Sequence, residues 1–458
     1  MRRKKKRSPL TALVVILCLA LLGGAGYLLW RALPQKKAPD TVSSLETGAV
    51  FENDNRSAVQ PEREQDYDGE RPAPQTQQEP AQEEPVPDEQ PAEQPGSEAS
   101  PEQTLAKQTL AAMSLDEKIW QLFFVTPESL TGYPKVTEAG LATKEALGYK
   151  PVGGLIYFAQ NLEDREQVTA MLTTVQTFTK IPLFLGTDEE GGTVSRVGSN
   201  AALGGQNIGD MASYGAAGDP AALYNAMCTV AGMLTGLGFN MDFAPVADVS
   251  GGRTDNVIGS RSFGTEPELC ASMVSVALGA LQDSGVAACL KHFPGYGSAV
   301  TDDHYGTSVL NKTAEELEGC DLLPFASGIE GGAAFVMVSH LSVPAVTGDE
   351  TPADLSEKII SELLRNKLGF ENVIITDAQN MASITDHYTP AEAAVGALKA
   401  GADMILMPAD LKAAHDGVAA AVKDGTLTEA RLNESVLRIL TVKARFGILT
   451  EVPQEDAD

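Results

Sequence analysis

Seven short apolar runs recur along the chain, at residues 152–158, 182–186, 239–246, 286–290, 333–338, 373–376 and 404–407. Each is four to eight residues long, and several are bounded by Gly or Pro. Uninterrupted runs of this length suit strands covered on both faces, since a half-exposed strand would alternate apolar and polar side chains. Helical patterns lie between several of them. Ser114-Leu115-Asp116-Glu117 has the form of a capping box and predicts a helix running on through Phe124. Ser356 is placed to cap a helix over 357–368, with Gly369 placed to end it, and 433–446 reads as a further helix. Strand–helix alternation over roughly 350 residues predicts a parallel α/β fold, best matched in size by a single (β/α)8 barrel, with an open doubly wound sheet as the runner-up. Neither a GxxxxGKS/T loop nor a GxGxxG fingerprint after a strand is present.

The first hundred residues read differently. Arg2 to Arg7 are six consecutive basic residues, and Leu10 to Trp30 contain no charge. That length matches the roughly 20 residues needed to span a bilayer, rather than the shorter apolar core of a cleaved signal peptide. Residues 1–34 are therefore expected to be a basic cytoplasmic segment and an uncleaved single-pass anchor, with the chain beyond Trp30 outside the cytoplasm. Residues 35–103 are rich in Pro, Glu, Gln and Asp and nearly free of large apolar side chains. Such a segment cannot bury enough surface to offset its ordering entropy, so a disordered acidic linker is expected there. The folded part is then 104–450, followed by an acidic tail, 451–458. The net charge of −28 argues against nucleic acid as a partner. Five cysteines without CxxC spacing do not make a disulfide scaffold. Cys18 lies in the apolar N-terminal run, and Cys228, Cys270, Cys289 and Cys320 are expected as buried free thiols.

Polar residues collect where the expected strands end. Asp188-Glu189-Glu190-Gly191-Gly192 follows the run at 182, Asp248 the run at 239, Lys291-His292 the run at 286, Ser339-His340 the run at 333, and Asp377 the run at 373. In a parallel barrel that end carries the chemistry. Any one such residue could be a satisfied structural polar group, but five at equivalent ends are harder to explain by packing. A cluster of carboxylates, Lys and His suits a polar neutral ligand without naming the reaction.

The motifs around these residues resemble those of family 3 glycoside hydrolases, in the β-N-acetylhexosaminidase branch. They are Lys291-His292-Phe293-Pro294-Gly295-Tyr296-Gly297 followed by Asp302-Asp303-His304, then Asp188-Glu189-Glu190-Gly191-Gly192, Gly259-Ser260-Arg261-Ser262-Phe263-Gly264 and Ile375-Thr376-Asp377-Ala378-Gln379-Asn380-Met381. The resemblance covers 104–450. It implies a (β/α)8 barrel that releases β-linked N-acetylglucosamine with retention. It further implies Asp377 as nucleophile, His304 as acid/base and Asp302 as the group orienting His304. Asp188, Arg196, Arg261, Lys291 and His292 match sugar-binding positions, and His340 matches a position near the site. No metal and no cofactor are implied.

The chemistry is consistent with these roles. Retention needs a carboxylate to attack the anomeric carbon and a second group to protonate the leaving oxygen. An imidazole can be acid first and base afterwards, and a carboxylate two residues away in an extended loop can orient it. Asp303 would then point away.

The end of the chain soon after the barrel is also expected to favour this dyad over an acid supplied by a second domain. Departures from the family pattern are Tyr296 for a second His, Thr193 for Arg, and Ala378-Gln379 after the nucleophile. The substrate expected is a β-N-acetylglucosaminyl glycan, such as a peptidoglycan fragment, taken by a membrane-anchored monomer with an extracytoplasmic barrel. A phosphorylase or β-glucosidase of the same family, a non-catalytic wall-glycan-binding module and a metal hydrolase using His292, Asp302 and His304 are the alternatives. His387 and His415 are expected at the surface.

Overall fold

The computed structural model describes residues 99–252, 258–299 and 308–454. Eight parallel strands follow one another in chain order: β1 (Phe123–Val125), β2 (Gly154–Ile156), β3 (Phe184–Thr187), β4 (Met241–Asp242), β5 (Ala287–Phe293), β6 (Phe335–Val338), β7 (Val373–Thr376) and β8 (Ile405–Leu406). From β1 to β7 each pairs with its neighbours in sequence, and β8 returns to pair with β1. Between β7 and β8 a parallel bridge joins Ile375 to Met404, bringing the sheet to a nearly closed (β/α)8 barrel. A helix packs in each connection, among them Arg165–Gln176, Pro220–Thr235, Pro267–Asp283 and Pro390–Ala400.

The seam between β7 and β8 is held by charge. Asp403, fully buried just before β8, accepts from Ile374 N–H (3.0 Å), Ser435 Oγ (2.7 Å), Arg365 Nη2 (2.7 Å) and Arg438 Nη1 (3.1 Å). A buried carboxylate needs such a full set of donors to offset its lost hydration.

Aromatic rings fill the interior. Phe184 of β3 meets Phe335 of β6 edge-on, with centroids 5.1 Å apart, and the two strands are not neighbours, so the contact crosses the barrel. Phe124 meets Phe243 in the same way at 5.2 Å. Gly154 makes room for Phe124, whose ring would lie 2.6 Å from any Cβ placed there.

Four expectations are corrected. Phe123–Val125 is a strand, not the end of a helix: Leu115–Gln121 stops one residue after Trp120, and no Gly or Pro marks that boundary. A helix over Pro101–Ala111, started by a capping box of Ser100 and Gln103, lies ahead of the expected start at 104. Ser356 does not cap by its side chain; Lys358–Lys367 is wound as a π-helix, and Gly369 follows at φ +69°. The last helix, Glu429–Arg445, starts earlier than 433, where Thr428 caps it. The expected anchor, and the linker as far as residue 98, lie outside the described residues, among which no helix is long and apolar enough to cross a membrane.

His415 is also not a surface residue. It is buried, with its ring stacked on Trp120 at 3.8 Å and Nε2 3.2 Å from Asp116. His387 is exposed. The four described cysteines are free thiols; Cys270 and Cys289 are buried, while Cys228 and Cys320 are half-buried.

At the N-terminal end of the barrel the last helix inserts Lys443, which is fully buried. Its Nζ lies 5.1 Å from the centre of the Phe184 ring and donates to Gln121 Oε1 (2.8 Å). Burial holds its pKa down at about 7, against 10.5 for an ordinary lysine. Between those values the unfolded chain binds a proton that the folded chain does not, so the folded state gains stability as pH rises from 7 to 10. The gain amounts to several kcal/mol over that window. Lys443→Met should remove this slope. Urea unfolding at pH 7 and pH 10 is expected to show wild type gaining on the variant as pH rises, and parallel behaviour would refute the lowered pKa.

Candidate active site

A cavity of about 650 Å³ opens at the C-terminal ends of the strands. Its polar wall comes from Asp188, Glu190, Arg196, Arg261, Lys291, His292 and Asp377, and its apolar wall includes Phe158, Phe243, Met337, Met381 and Met407.

Lys291 stands at the centre of the polar wall. It lies within β5, not after it, because that strand runs on to Phe293. Its buried ammonium is 2.9 Å from Asp188 Oδ1 and 2.7 Å from Glu190 Oε1. Glu190 sits in a short hairpin, Glu189–Gly191 paired with Val194–Ser195, placed directly beyond β3. The hairpin is braced by Glu189, which accepts from Ser195 Oγ (2.5 Å), Val197 N–H (2.6 Å) and Gly198 N–H (3.1 Å). Gly192, at φ +58°, makes its turn; a Cβ there would lie 1.9 Å from Asp210 Oδ1. Arg261 clamps Glu190 with two bonds of 2.8 Å, one to each carboxylate oxygen. Arg196 reaches over the Phe158 ring at 5.9 Å, with Nη2 3.8 Å from Asp188 Oδ2.

His292 is aimed by Asp248. The buried carboxylate takes the His292 ring at Nδ1 (2.8 Å), the His292 backbone N–H, and the Tyr296 N–H (2.6 Å). Nδ1 therefore carries a proton, and Nε2 faces Arg261 at 3.5 Å beside the cavity. Gly297 has no room for a side chain, since a Cβ would lie 1.8 Å from the Val249 carbonyl oxygen. Tyr296, the departure from the family's second His, lies edge-on to His292 and shares a 3.1 Å hydrogen bond with Ser308.

Asp377 follows β7 and lines the cavity. Its backbone N–H donates to Val338 O (2.8 Å), and its Oδ1 accepts from Ala378 N–H (2.7 Å). Burial works against its charge, but His292, His340, the Ala378 N–H and Lys291 outweigh it and hold the carboxyl below the usual range.

The structure thus brings Asp188, Arg196, Arg261, Lys291, His292 and Asp377 to one cavity. His340 does not line it. Its side chain is fully buried, with Nδ1 3.0 Å from Asp354 Oδ1 and Nε2 3.0 Å from the Ala378 carbonyl oxygen. Asp302 and His304 lie outside the described residues. Thr193 is exposed in the hairpin turn, and Gln379 is buried with Nε2 3.3 Å from Asp354 Oδ2. Two site residues were absent from the sequence assignment, Glu190 and Asp248. Both stood among the polar residues at strand ends, and that position was their signal.

Glu190 shows how far the network depends on pairing. Burial alone would raise its pKa, but Lys291 and Arg261 bring it down to about 2 from 4.5. A depressed carboxylate contributes stability that is present above its unfolded pKa and lost as pH falls through the folded one. Glu190→Gln should therefore cost about 3 kcal/mol at neutral pH. The deficit is expected to shrink as pH falls from 4.5 toward 2, read by urea unfolding of both proteins at pH 7 and pH 3. An equal deficit at both would show that Glu190 is not charge-stabilised.

The glycosyl hydrolase family 3 N-terminal domain matches residues 114–442. The chain is 31% identical over 341 residues to β-hexosaminidase A of Pseudoalteromonas piscicida, covering 68% of this chain and 56% of that protein. It is 30% identical over 369 residues to a β-N-acetylglucosaminidase/β-glucosidase of Cellulomonas fimi, covering 77% of this chain and 61% of that one. It therefore spans somewhat over half the length of these two relatives. The solved structure of a glycoside hydrolase family 3 β-N-acetylglucosaminidase from Paenibacillus sp. str. FPU-7 superposes with a TM-score of 0.68 at 35% identity, covering 76% of this chain and 65% of that one. With the family's N-terminal domain matched over most of its described length, the chain belongs to glycosyl hydrolase family 3.

Proposed function

We propose that this chain is a retaining β-N-acetylhexosaminidase that releases terminal β-linked N-acetylglucosamine through a glycosyl–Asp377 intermediate. One observation carries the reading: Asp377 presents an ionised carboxylate to a cavity whose polar wall is otherwise built from paired charges. Lys291 and Arg261 are already neutralised by Asp188 and Glu190, so the wall offers fixed hydrogen-bonding groups with little net charge. That suits the hydroxyls of a neutral sugar. The names of the relatives above support the N-acetylglucosaminyl specificity.

In this mechanism Asp377 attacks the anomeric carbon while His304, oriented by Asp302, protonates the leaving oxygen. Water deprotonated by His304 then displaces Asp377 with the second inversion, giving net retention. Asp188, Arg196, Arg261, Lys291 and His292 hold the sugar. Residues 10–30 anchor the chain, and the segment from 35 up to the helix at Pro101 tethers the barrel outside the cytoplasm, within reach of wall glycans such as peptidoglycan fragments.

The test is the purified full chain in detergent, assayed on aryl β-N-acetylglucosaminide, aryl β-glucoside and a β-N-acetylglucosaminyl oligosaccharide, with and without phosphate. Turnover of the N-acetyl substrate without phosphate is expected, and Asp377→Ala should abolish it. His304→Ala should lose about 10²- to 10⁴-fold on the oligosaccharide. It should lose less on an aryl substrate, whose good leaving group needs little protonation. A strict phosphate requirement would make the chain a phosphorylase, and no turnover of any substrate would favour a glycan-binding module.

A further inference from the structure

Behind Asp377 lies a polar chain that the proposed mechanism does not use. His340 follows the end of β6, and Asp354 belongs to a 3-10 turn over Ala353–Leu355. Both side chains are fully buried. Asp354 is tied back to the same segment, its N–H donating to Ser339 O at 3.1 Å. The two ring nitrogens of His340 face two acceptors, Asp354 Oδ1 at 3.0 Å and the Ala378 carbonyl oxygen at 3.0 Å. A carbonyl has no proton to give. Asp354 also accepts from the Gln379 amide at Oδ2. A neutral imidazole carries one N–H and would leave one of these oxygens facing a bare lone pair. A proton on Nδ1 makes the 3.0 Å approach to Asp354 an ion pair, although the two atoms are not aligned as a hydrogen bond.

Ala378 is the link to the site. Its N–H donates to Asp377 Oδ1 at 2.7 Å, while its carbonyl oxygen takes His340 Nε2. The residue that orients the Asp377 carboxylate is thus fastened from behind by the histidine.

We propose that His340 is a buried imidazolium and a positioning residue for Asp377: through Ala378 it fixes the carboxylate, and its charge favours the anion. The proposal rests on the reading of Asp377 as nucleophile. The charged and titratable groups facing His340 are Asp354 and Asp377, and Tyr388 faces Asp354. Those facing Asp377 are His292, His340, Lys291 and Cys289. Asp354 and His340 form a pair whose positive end lies toward Asp377. Consistent with this, the negative charge of Asp354 overcomes the burial of His340 and raises its pKa to about 9.

The experiment uses the full chain with ¹⁵N-labelled histidine. Imidazole ¹⁵N shifts across pH 6–10 should show one ring still doubly protonated at pH 8, where an ordinary histidine is neutral. His340→Gln should delete that signal, and Asp354→Asn should lower its midpoint by two units or more. A His340 ring that titrates near 6.5 in wild type overturns the proposal without reference to activity. On aryl β-N-acetylglucosaminide, His340→Gln keeps an amide donor for Ala378 but loses the charge. It should lower kcat by about tenfold or more with KM little changed. Asp354→Asn should do the same, and the double variant should be no worse than either alone. Unchanged kcat in both single variants, or a loss confined to KM, also overturns it. Absence of turnover in wild type would instead dispose of the glycosidase reading and leave the NMR result standing.

Discussion

The site is organised around one buried ammonium. Taking Lys291 out of water costs several kcal/mol, and that cost is offset only where carboxylates stand at hydrogen-bond distance. Asp188 and Glu190 supply them from either side of Glu189, where β3 gives way to the hairpin. Three segments must therefore agree in position: the exit of β3, the hairpin beyond it and the last residues of β5. Arg261 extends the requirement to a fourth, since its fork fits both oxygens of Glu190 at once. Glu189, alternating to the other side of the hairpin, holds the loop that makes this possible. The wall is rigid because moving any one member would leave a charge buried without its partner.

The same residue type is put to different uses by its surroundings. Asp188 is half-exposed and paired with a cation. Asp248 is buried and spends its oxygens on the His292 ring and on backbone N–H groups. Asp377 keeps one oxygen on Ala378 N–H and is open to the cavity. Of the three, Asp377 combines access with neighbours that are committed elsewhere: Lys291 to Asp188 and Glu190, His292 to Asp248, His340 to Asp354. They lower its pKa without forming an ion pair that would have to break before it could act.

Much of this was legible in the sequence, and the failures have physical causes. A buried parallel strand is an apolar run, so seven of the eight strands stood out by length alone. The eighth did not, because Phe123–Val125 follows a helix whose last residues, Ile119, Trp120 and Gln121, are all buried and lead into it with no Gly or Pro between. The strand-end position correctly gathered Asp188, Lys291, His292 and Asp377 into one cavity. It could not separate the front of the wall from the back: Ser339-His340 occupies an equivalent place, yet the His340 ring turns away toward Asp354. Side-chain direction after a strand depends on the next turn, here the segment around Ala353, far off in sequence. His415 failed for a similar reason, since nothing local signals that Trp120 will offer its ring face.

Two buried lysines show how the barrel divides its labour. Both lie within the protein, one at each end of the strands, and burial opposes the charge of both. At the C-terminal end two carboxylates reverse the effect, and Lys291 is held well above the ordinary lysine range. At the N-terminal end Lys443 has a neutral amide and an aromatic face, and its pKa falls to about 7. The first arrangement commits four side chains to keeping a charge in place; the second lets the charge go. A lysine that sheds its proton near neutrality, sealed away from solvent, fills space and satisfies Gln121. A lysine that cannot shed it gives a permanent field across the cavity, and that field reaches Asp377. The fold thus keeps fixed charge at the end where a developing charge can be met, and tolerates a labile one where only packing is at stake.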